Sequence, residues 1–377
     1  MSRMNVLFLT THLNAGGITS YLLTLAQGMR QRGIEVHLVS SGGRREEEFS
    51  SLGVRLSSLD IRTKSELDFR IYKVLPRLRR YMEQHHIDIL HAQTRITQVM
   101  GQLLKSMTGR PYVSTCHGFF QGRLSRRLFP CWGDAVIAIS EAVCHHLVSD
   151  FHIDEGRVVL IKSGVDLRAY APADEETKRQ LRRKYHLGEG QVIGNIARLS
   201  DVKGQDILIA ALPTVVAQMP DVKLLIAGEG KMEKTLKAMV KTFHLERHVF
   251  FCPLVNKTAE LLSVLDVFVM PSRQEGLGLS IMEAQAAGLP VIASNVGGIP
   301  SLIEHGKTGI LIEPESPSVL ARDLMELLGD EKRLREMGNA GREFALQHYG
   351  ADTMVDKTLS LYRRFVSDED DEKNSCR

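Results

Sequence analysis

Short, almost wholly apolar runs recur along this chain, separated by longer stretches in which apolar and polar residues alternate at helical spacing. The runs at residues 5–11, 34–40, 87–91, 111–115, 135–139 and 158–161 are bounded by turn residues and are too short for buried helices. They predict buried strands, and the helical stretches between them predict parallel sheets built from βαβ units. The pattern resumes at 191 after a polar, charged interval from Asp166 to Gly190, in which Tyr170-Ala171-Pro172 marks a hinge. The 377 residues suffice for two domains of common size, read as 1–168 and 169–350.

Three strand ends carry candidate chemistry. Leu265 to Ser272 reads as a buried strand with its turn, and Ser280 to Ala287 as a helix stopped by Gly288-Leu289-Pro290. Between them Glu275-Gly276-Leu277-Gly278-Leu279 forms a loop whose glycines let the backbone approach a ligand, and the amides opening the helix suit a phosphate. Glu275 sits on that loop and Glu283 about two turns below its mouth, so one carboxylate could accept from a ribose and the other from a sugar hydroxyl. An acid favouring the helix dipole plus a solvated helical glutamate would give the same letters.

A second run, Val192 to Leu199, delivers Arg198 to a turn that also holds Asp201, Lys203 and Gly204. An arginine fork and a lysine point charge five residues apart could clamp a diphosphate, and surface ion pairing is the competing explanation. The third is Gly16-Gly17, between the first strand and a helix expected from about Ser20 to Arg32. A tight turn explains most such pairs. Neither this loop nor Gly228-Glu229-Gly230 completes a dinucleotide fingerprint or a Walker loop.

Taken together and in order, these segments resemble the family 4 retaining glycosyltransferases. The resemblance runs over nearly the whole chain and rests on Gly16-Gly17, Thr115-Cys116-His117-Gly118-Phe119, Ser163-Gly164-Val165-Asp166, Ala197-Arg198-Leu199 with Lys203-Gly204, Gly228-Glu229-Gly230, Glu275 to Glu283, and Val296-Gly297-Gly298-Ile299-Pro300. It implies the GT-B fold, an α/β architecture of two Rossmann-like, doubly wound parallel-sheet domains facing a central cleft, with a last helix from about Ala351 to Phe365 returning to the first domain. It also implies roles. Arg198 and Lys203 resemble the residues that hold a donor diphosphate, with Gly16, Gly17, Gly276, Leu277, Gly278 and Leu279 as its backbone cradle. Glu283 resembles the ribose ligand, while Glu275 and His117 resemble the catalytic residues near the transferred sugar. A lone histidine after a strand is more often a loop or core residue, and only its place in the ordered set reads otherwise.

The chain departs from the common family pattern at Ser301, Gln93 and Ser163. These positions bear on donor or acceptor choice and leave the reaction type alone. Glycosyltransferases of the other main fold hold a divalent cation with Asp-x-Asp, and here the one match is Asp368-Glu369-Asp370, in a polar tail expected to be disordered. No metal or other cofactor is therefore expected. A UDP- or GDP-sugar is the expected donor, with Arg198, Lys203 and helix amides neutralising the leaving diphosphate. Retention follows from the resemblance, the acceptor attacking the face from which phosphate departs, with a covalent intermediate on Glu275 as a lesser variant. A nucleotide-sugar 2-epimerase of the same fold, a non-catalytic nucleotide-sugar binder and a Rossmann dehydrogenase are the rival functions.

Composition changes the picture little, at 43% hydrophobic and 25% charged residues. Five cysteines without Cys-x-x-Cys or zinc spacing fit a reducing compartment. Cys116 as a nucleophile is disfavoured, because neighbours on a strand face opposite ways. The first strand begins at once, without a signal-peptide pattern, and no run approaches the roughly 20 apolar residues of a membrane span, so a cytoplasmic protein is expected.

Charge is more informative. The net +3 divides into 21 Lys/Arg against 14 Asp/Glu through Val165, or +7, and 27 against 31, or −4, beyond it. Within the basic half, Arg62 to Arg80 carries Leu67, Ile71, Val74, Leu75, Leu78 and Met82 at helical spacing, and Arg123, Arg126 and Arg127 lie beside Leu124, Leu128, Phe129 and Trp132. Both segments suit peripheral contact with an anionic membrane, as befits a lipid-linked or glycan acceptor for the cell envelope, and both also suit apolar stripes packed inward. Nucleic acid is not an expected partner, since no aromatic-basic platform accompanies the cations.

Overall fold

The computed structural model describes residues 4–63, 65–122, 124–253 and 258–375, which form two compact units. The first comprises residues 1–164 and 351–377, the second residues 165–350.

In the first unit the apolar runs become β1 (Asn5–Leu9), β2 (Glu35–Ser40), β4 (Ile89–Ala92), β5 (Tyr112–Cys116), β6 (Ala135–Ala138) and β7 (Val158–Leu160), all parallel. A seventh strand, β3 (Arg55–Ser58), closes one edge and escapes the apolar pattern because its side chains are half-exposed or exposed. The order is β3-β2-β1-β4-β5-β6-β7, so winding reverses between β1 and β4. In the second unit β8 (Val192–Ile196), β9 (Lys223–Ala227), β10 (Val249–Cys252), β11 (Val267–Met270), β12 (Val291–Ser294) and β13 (Ile310–Ile312) run in the order β10-β9-β8-β11-β12-β13. Here the reversal falls between β8 and β11. Each reversal leaves a crevice at the carboxyl ends of its two strands, the usual ligand position in open parallel sheets.

The last helix, Ala351–Ser375, belongs to the first unit and packs on the helix Gly17–Gln31. It buries Met354, Val355, Leu359 and Tyr362, and Asp352 and Asp356 both pair with Arg32. Its bounds correct the expectation for the tail, because residues 368–370 are helical; Cys376 lies outside the described residues.

The two basic segments also resolve. Helix Phe69–Gln84 turns Ile71, Leu75, Leu78 and Met82 into the core, with Val74 packed against the same cluster. That stripe faces inward. Leu67 precedes the helix and is 85% exposed. Arg126, expected at the surface, is buried, its guanidinium 4.0 Å over Phe120 and within 6 Å of Trp132 and Phe151. Cation–π contact with three rings compensates a desolvated charge better than solvent-facing neighbours would. Arg123 lies outside the described residues.

A Cβ on Gly28 would lie 2.5 Å from Val355 Cγ2, and β-branched Val355 has little rotamer freedom in a helix. Gly28→Leu should therefore lower unfolding free energy by about 1–3 kcal/mol through overpacking. It should also raise amide exchange in the last helix, and an unchanged denaturation midpoint and exchange pattern would show that this seam does not hold the helix.

Candidate functional site

The crevice of the second unit is made by strands that part. β8 and β11 pair only through Val267 with Ile193 and Phe268 with Gly194. Beyond that, buried Asn195 donates through Nδ2 to the Val269 carbonyl at 2.8 Å, so a side chain closes the gap where the ladder stops. Gln205 Nε2 then reaches Asn195 Oδ1 at 3.3 Å and the Arg198 carbonyl at 3.2 Å, fixing the loop that carries Arg198.

That loop is stitched to the one after β11. The Val202 carbonyl accepts from the Arg273 and Gln274 amides at 2.9 and 3.3 Å. Arg273 binds both Asp206 oxygens at 2.8 and 2.7 Å and also pairs with Glu315. Gly204 permits the approach, since it has φ 67° and a Cβ there would sit 1.9 Å from the Pro271 carbonyl oxygen. Across this seam Lys203 pairs with Glu275, both largely buried. The Glu275 carbonyl in turn accepts from the Gly298 amide at 3.1 Å, which places the Val296-Gly297-Gly298 turn against the same loop.

Arg198, by contrast, is exposed, and its side chain has no hydrogen-bond or ion-pair partner among the described residues. Helix Leu279–Ala286 starts from Gly278 in left-handed conformation, φ 108°, and carries no acid in its first turn. Its opening amides thus keep their partial positive charge uncompensated by a side chain. Glu283 is buried four residues into that helix, about 6 Å along the axis at 1.5 Å per residue. That is one turn and not the two expected, since only four residues separate Glu283 from the helix start.

In the first unit the helix after β1 begins at Gly17, three residues earlier than its pattern implied, with Gly16 as its cap at φ 155°, ψ 165°. Both glycines are exposed. Across the winding reversal, Gln93 follows β4 and His117 follows β5. His117 Nε2 lies 2.8 Å from Gln93 Oε1, and the Tyr21 ring meets the imidazole edge-on at 4.9 Å. Burial pushes His117 down to about 3, so the ring is neutral at any ordinary pH. Beneath it, His91 joins Thr115 at 2.6 Å and Tyr362 at 2.5 Å, itself held down at about 3 by burial. Cys116 faces the interior and its buried thiol is pushed up to about 12, which removes it as a nucleophile.

Two family descriptions match this chain in tandem, Glycosyltransferase Family 4 over residues 15–169 and Glycosyl transferases group 1 over residues 177–344. A GDP-mannose-dependent phosphatidylinositol monomannoside mannosyltransferase of Mycolicibacterium smegmatis is 30% identical, over 89% of this chain and 91% of that one. This chain belongs to the family 4 glycosyltransferases. An N-acetyl-alpha-D-glucosaminyl L-malate synthase of Bacillus anthracis is 27% identical over 96% of this chain and 97% of its own. In fold, the glycosyltransferase superposes on Anabaena HepE, solved with UDP and glucose, with TM-score 0.84 at 22% identity over 95% of this chain and 99% of that one. The fold is GT-B.

The expected residues thus fall on the two reversal edges. Lys203 and Glu275 are in contact; Arg198, Gly276, Leu277, Gly278, Leu279 and Glu283 share their edge; Gly16, Gly17 and His117 lie on the edge of the other unit. Sequence reading missed Asn195, Gln205 and Arg273. An asparagine inside the apolar run Val192–Ile196 was the one available signal for the first, while the other two looked like ordinary polar surface.

Neutral burial of His91 has a consequence for stability. The unfolded chain takes up a proton near 6.5, whereas the folded site resists until about 3, so the unfolded state binds more protons between those values. Stability present above pH 6.5 is lost as pH falls through that window, at most about 1.4 kcal/mol per pH unit for this one group. In urea titrations from pH 7 to pH 4, His91→Gln should flatten the acid-side loss; an identical slope in the variant would remove His91 from the account.

Proposed function

We propose that this glycosyltransferase is a retaining enzyme that moves a hexose or N-acetylhexosamine from a UDP- or GDP-sugar to a glycan or lipid-linked acceptor of the cell envelope, without a metal ion. The observation that carries the reading is the second unit's crevice. There an exposed Arg198 side chain, unpaired among the described residues, the seam lysine and an uncapped helix start converge on one sheet edge, at the position where open parallel sheets take ligands. Such fixed donors suit a diphosphate, and they stabilise the charge that grows as it leaves. Support for the donor class comes from the relatives' names, which specify GDP-mannose in one case and an N-acetylglucosaminyl group in another, and from the UDP bound to HepE.

In the step proposed, the bond between the anomeric carbon and the diphosphate oxygen breaks while the acceptor oxygen bonds to the same face of that carbon. The acceptor proton passes to the departing phosphate oxygen. Glu283 binds the ribose, Gly16 and Gly17 offer backbone amides, and Glu275 and neutral His117 orient the sugar. A histidine held neutral by burial is suited to accept or donate one hydrogen bond and unsuited to act as a cationic acid.

A membrane surface is the second element of the proposal, and it rests on a tip of the first unit. Leu67, Phe69, Leu128 and Phe129 are 85%, 74%, 71% and 63% exposed. Arg95 ties the two segments together, binding both Glu66 oxygens at 2.8 Å and the Phe129 and Pro130 carbonyls at 2.6 and 2.9 Å. Apolar tips presented by a basic half are the composition that an anionic interface attracts.

Arg198→Ala and Lys203→Ala should each weaken UDP or GDP binding by about 1.5–3 kcal/mol, the usual worth of a hydrogen bond to a charged group, read by thermal shift across a nucleotide-sugar panel. Glu275→Gln releases Lys203, so nucleotide affinity should hold or rise while kcat falls by about 100-fold. Excess chelator should leave turnover intact. Wild-type rates in all three variants, or loss of turnover on chelation, would sink this assignment.

For the tip, Phe69→Ser combined with Phe129→Ser should reduce co-sedimentation with phosphatidylglycerol vesicles without changing transfer to a water-soluble acceptor. Equal sedimentation of wild type and variant would discard the membrane contact.

A further inference from the structure

Gln93 occupies a position that the reaction scheme leaves unused. β4 ends at Ala92, and the Gln93 amide still donates to the Leu9 carbonyl of β1 at 3.0 Å, so this residue stands on the lip of the first unit's winding reversal. Its side chain is 3% exposed, yet it is not spent on packing alone. Oε1 faces His117 Nε2 at 2.8 Å, and the amide nitrogen is buried with no hydrogen-bond partner among the described residues. A buried, half-satisfied amide costs stability, and such costs persist where a site needs the group.

The need is legible in the imidazole. A neutral histidine carries one N–H, and which nitrogen bears it is set by the partner of the other. The Gln93 carbonyl oxygen can only accept. It therefore draws the proton to His117 Nε2 and leaves Nδ1 as a bare acceptor. Rotation of the ring is blocked by Tyr21, edge-on at 4.9 Å, whose hydroxyl lies 3.4 Å from Thr115 Oγ1. Thr115 is in turn bonded to His91, and His91 to Tyr362 of the last helix. With His91 neutral, one of its nitrogens donates and the other accepts, so this floor is a fixed chain and not a set of free rotors.

We propose that Gln93 is a positioning residue for glycosyl transfer: it holds His117 in the Nε2–H tautomer, so that the ring offers Nδ1 as a hydrogen-bond acceptor to a hydroxyl group of the bound substrate. The glycosyl-transfer part rests on the function proposed above, while the tautomer stands on the geometry of the first unit. Its chemistry excludes a substrate carboxylate or phosphate at Nδ1, since neither brings a proton to donate, and it selects a polyhydroxyl ligand at that point.

Long-range proton–nitrogen NMR of the full chain labelled with ¹⁵N-histidine tests this near neutral pH, His117→Gln identifying the His117 signals. The wild type should show a single Nε2–H tautomer. Gln93→Leu should shift the ring toward the Nδ1–H form and lower kcat about 10- to 100-fold with little change in donor KM, since misplacing a contact group acts on the reacting geometry. Gln93→Glu keeps an acceptor in place and should restore the tautomer, and its negative charge should bring His117 protonation up into the range where an acid limb appears in the rate profile.

An Nδ1–H signal in the wild type overturns the proposal, as does a folded Gln93→Leu protein with unchanged tautomer and unchanged kcat. If Gln93→Leu fails to fold, the wild-type and Gln93→Glu spectra decide. Because the tautomer is read without turnover, failure of every donor to react would count against the proposed function and not against this assignment.

Discussion

The site edge of the second unit depends on the parting of adjacent parallel strands at the point where its sheet reverses its winding. There the pair parts before its carboxyl end, and a pair that parted without replacement would leave buried backbone groups unsatisfied. In the second unit Asn195 resolves that conflict by supplying a side-chain donor to the Val269 carbonyl just where the β8–β11 ladder stops. Everything placed above it, from Gln205 to the Lys203–Glu275 pair, inherits its position from that one substitution of side chain for backbone.

The two edges then divide the chemistry by charge. The edge of the second unit concentrates fixed positive potential in Arg198, exposed and unpaired among the described residues, and in an uncapped helix start, while Lys203 is balanced by Glu275. Among the described residues, the site edge of the first unit carries no such cation at His117. It presents uncharged donors and acceptors, namely His117 held neutral by burial, Gln93, and glycine amides. Anions are favoured on the one and hydroxyl groups on the other, a separation that charge counting along the chain does not reveal, since the first half is the more basic. Its cations are spent elsewhere: Arg126 under three rings, Arg95 on Glu66, Arg32 on the last helix.

Much of this was legible in the letters. Buried parallel strands announce themselves as short continuous apolar runs, so six of the first unit's seven strands were visible, and β3 was not because an edge strand with one solvated face carries no such run. Strand-end glycines and charged residues marked the edges correctly, since the chain must turn there. What could not be read was pairing across sequence distance. Nothing near Lys203 says that Glu275, 72 residues on, neutralises it. Arg126 looks like a surface cation until Phe120, Trp132 and Phe151 fold over it. Glu283 was placed a turn too deep, since it stands only four residues from the helix start at Leu279.

The Lys203–Glu275 pair shows why a site of this kind gains from being ionic and not simply basic. A lone buried ammonium would be costly to desolvate, whereas one already bonded to a carboxylate is compensated and held in a fixed orientation. On the function proposed above, an arriving diphosphate would compete with, or add to, a carboxylate already in place. The same carboxylate lies on the glycine loop whose carbonyl holds Gly298, so displacement of Lys203 toward phosphate would be felt by the loop that carries Glu275. In the function proposed above, binding the anion and setting Glu275 free to meet a sugar hydroxyl would be one event, with Asn195 and Gln205 keeping the backbone beneath it from yielding.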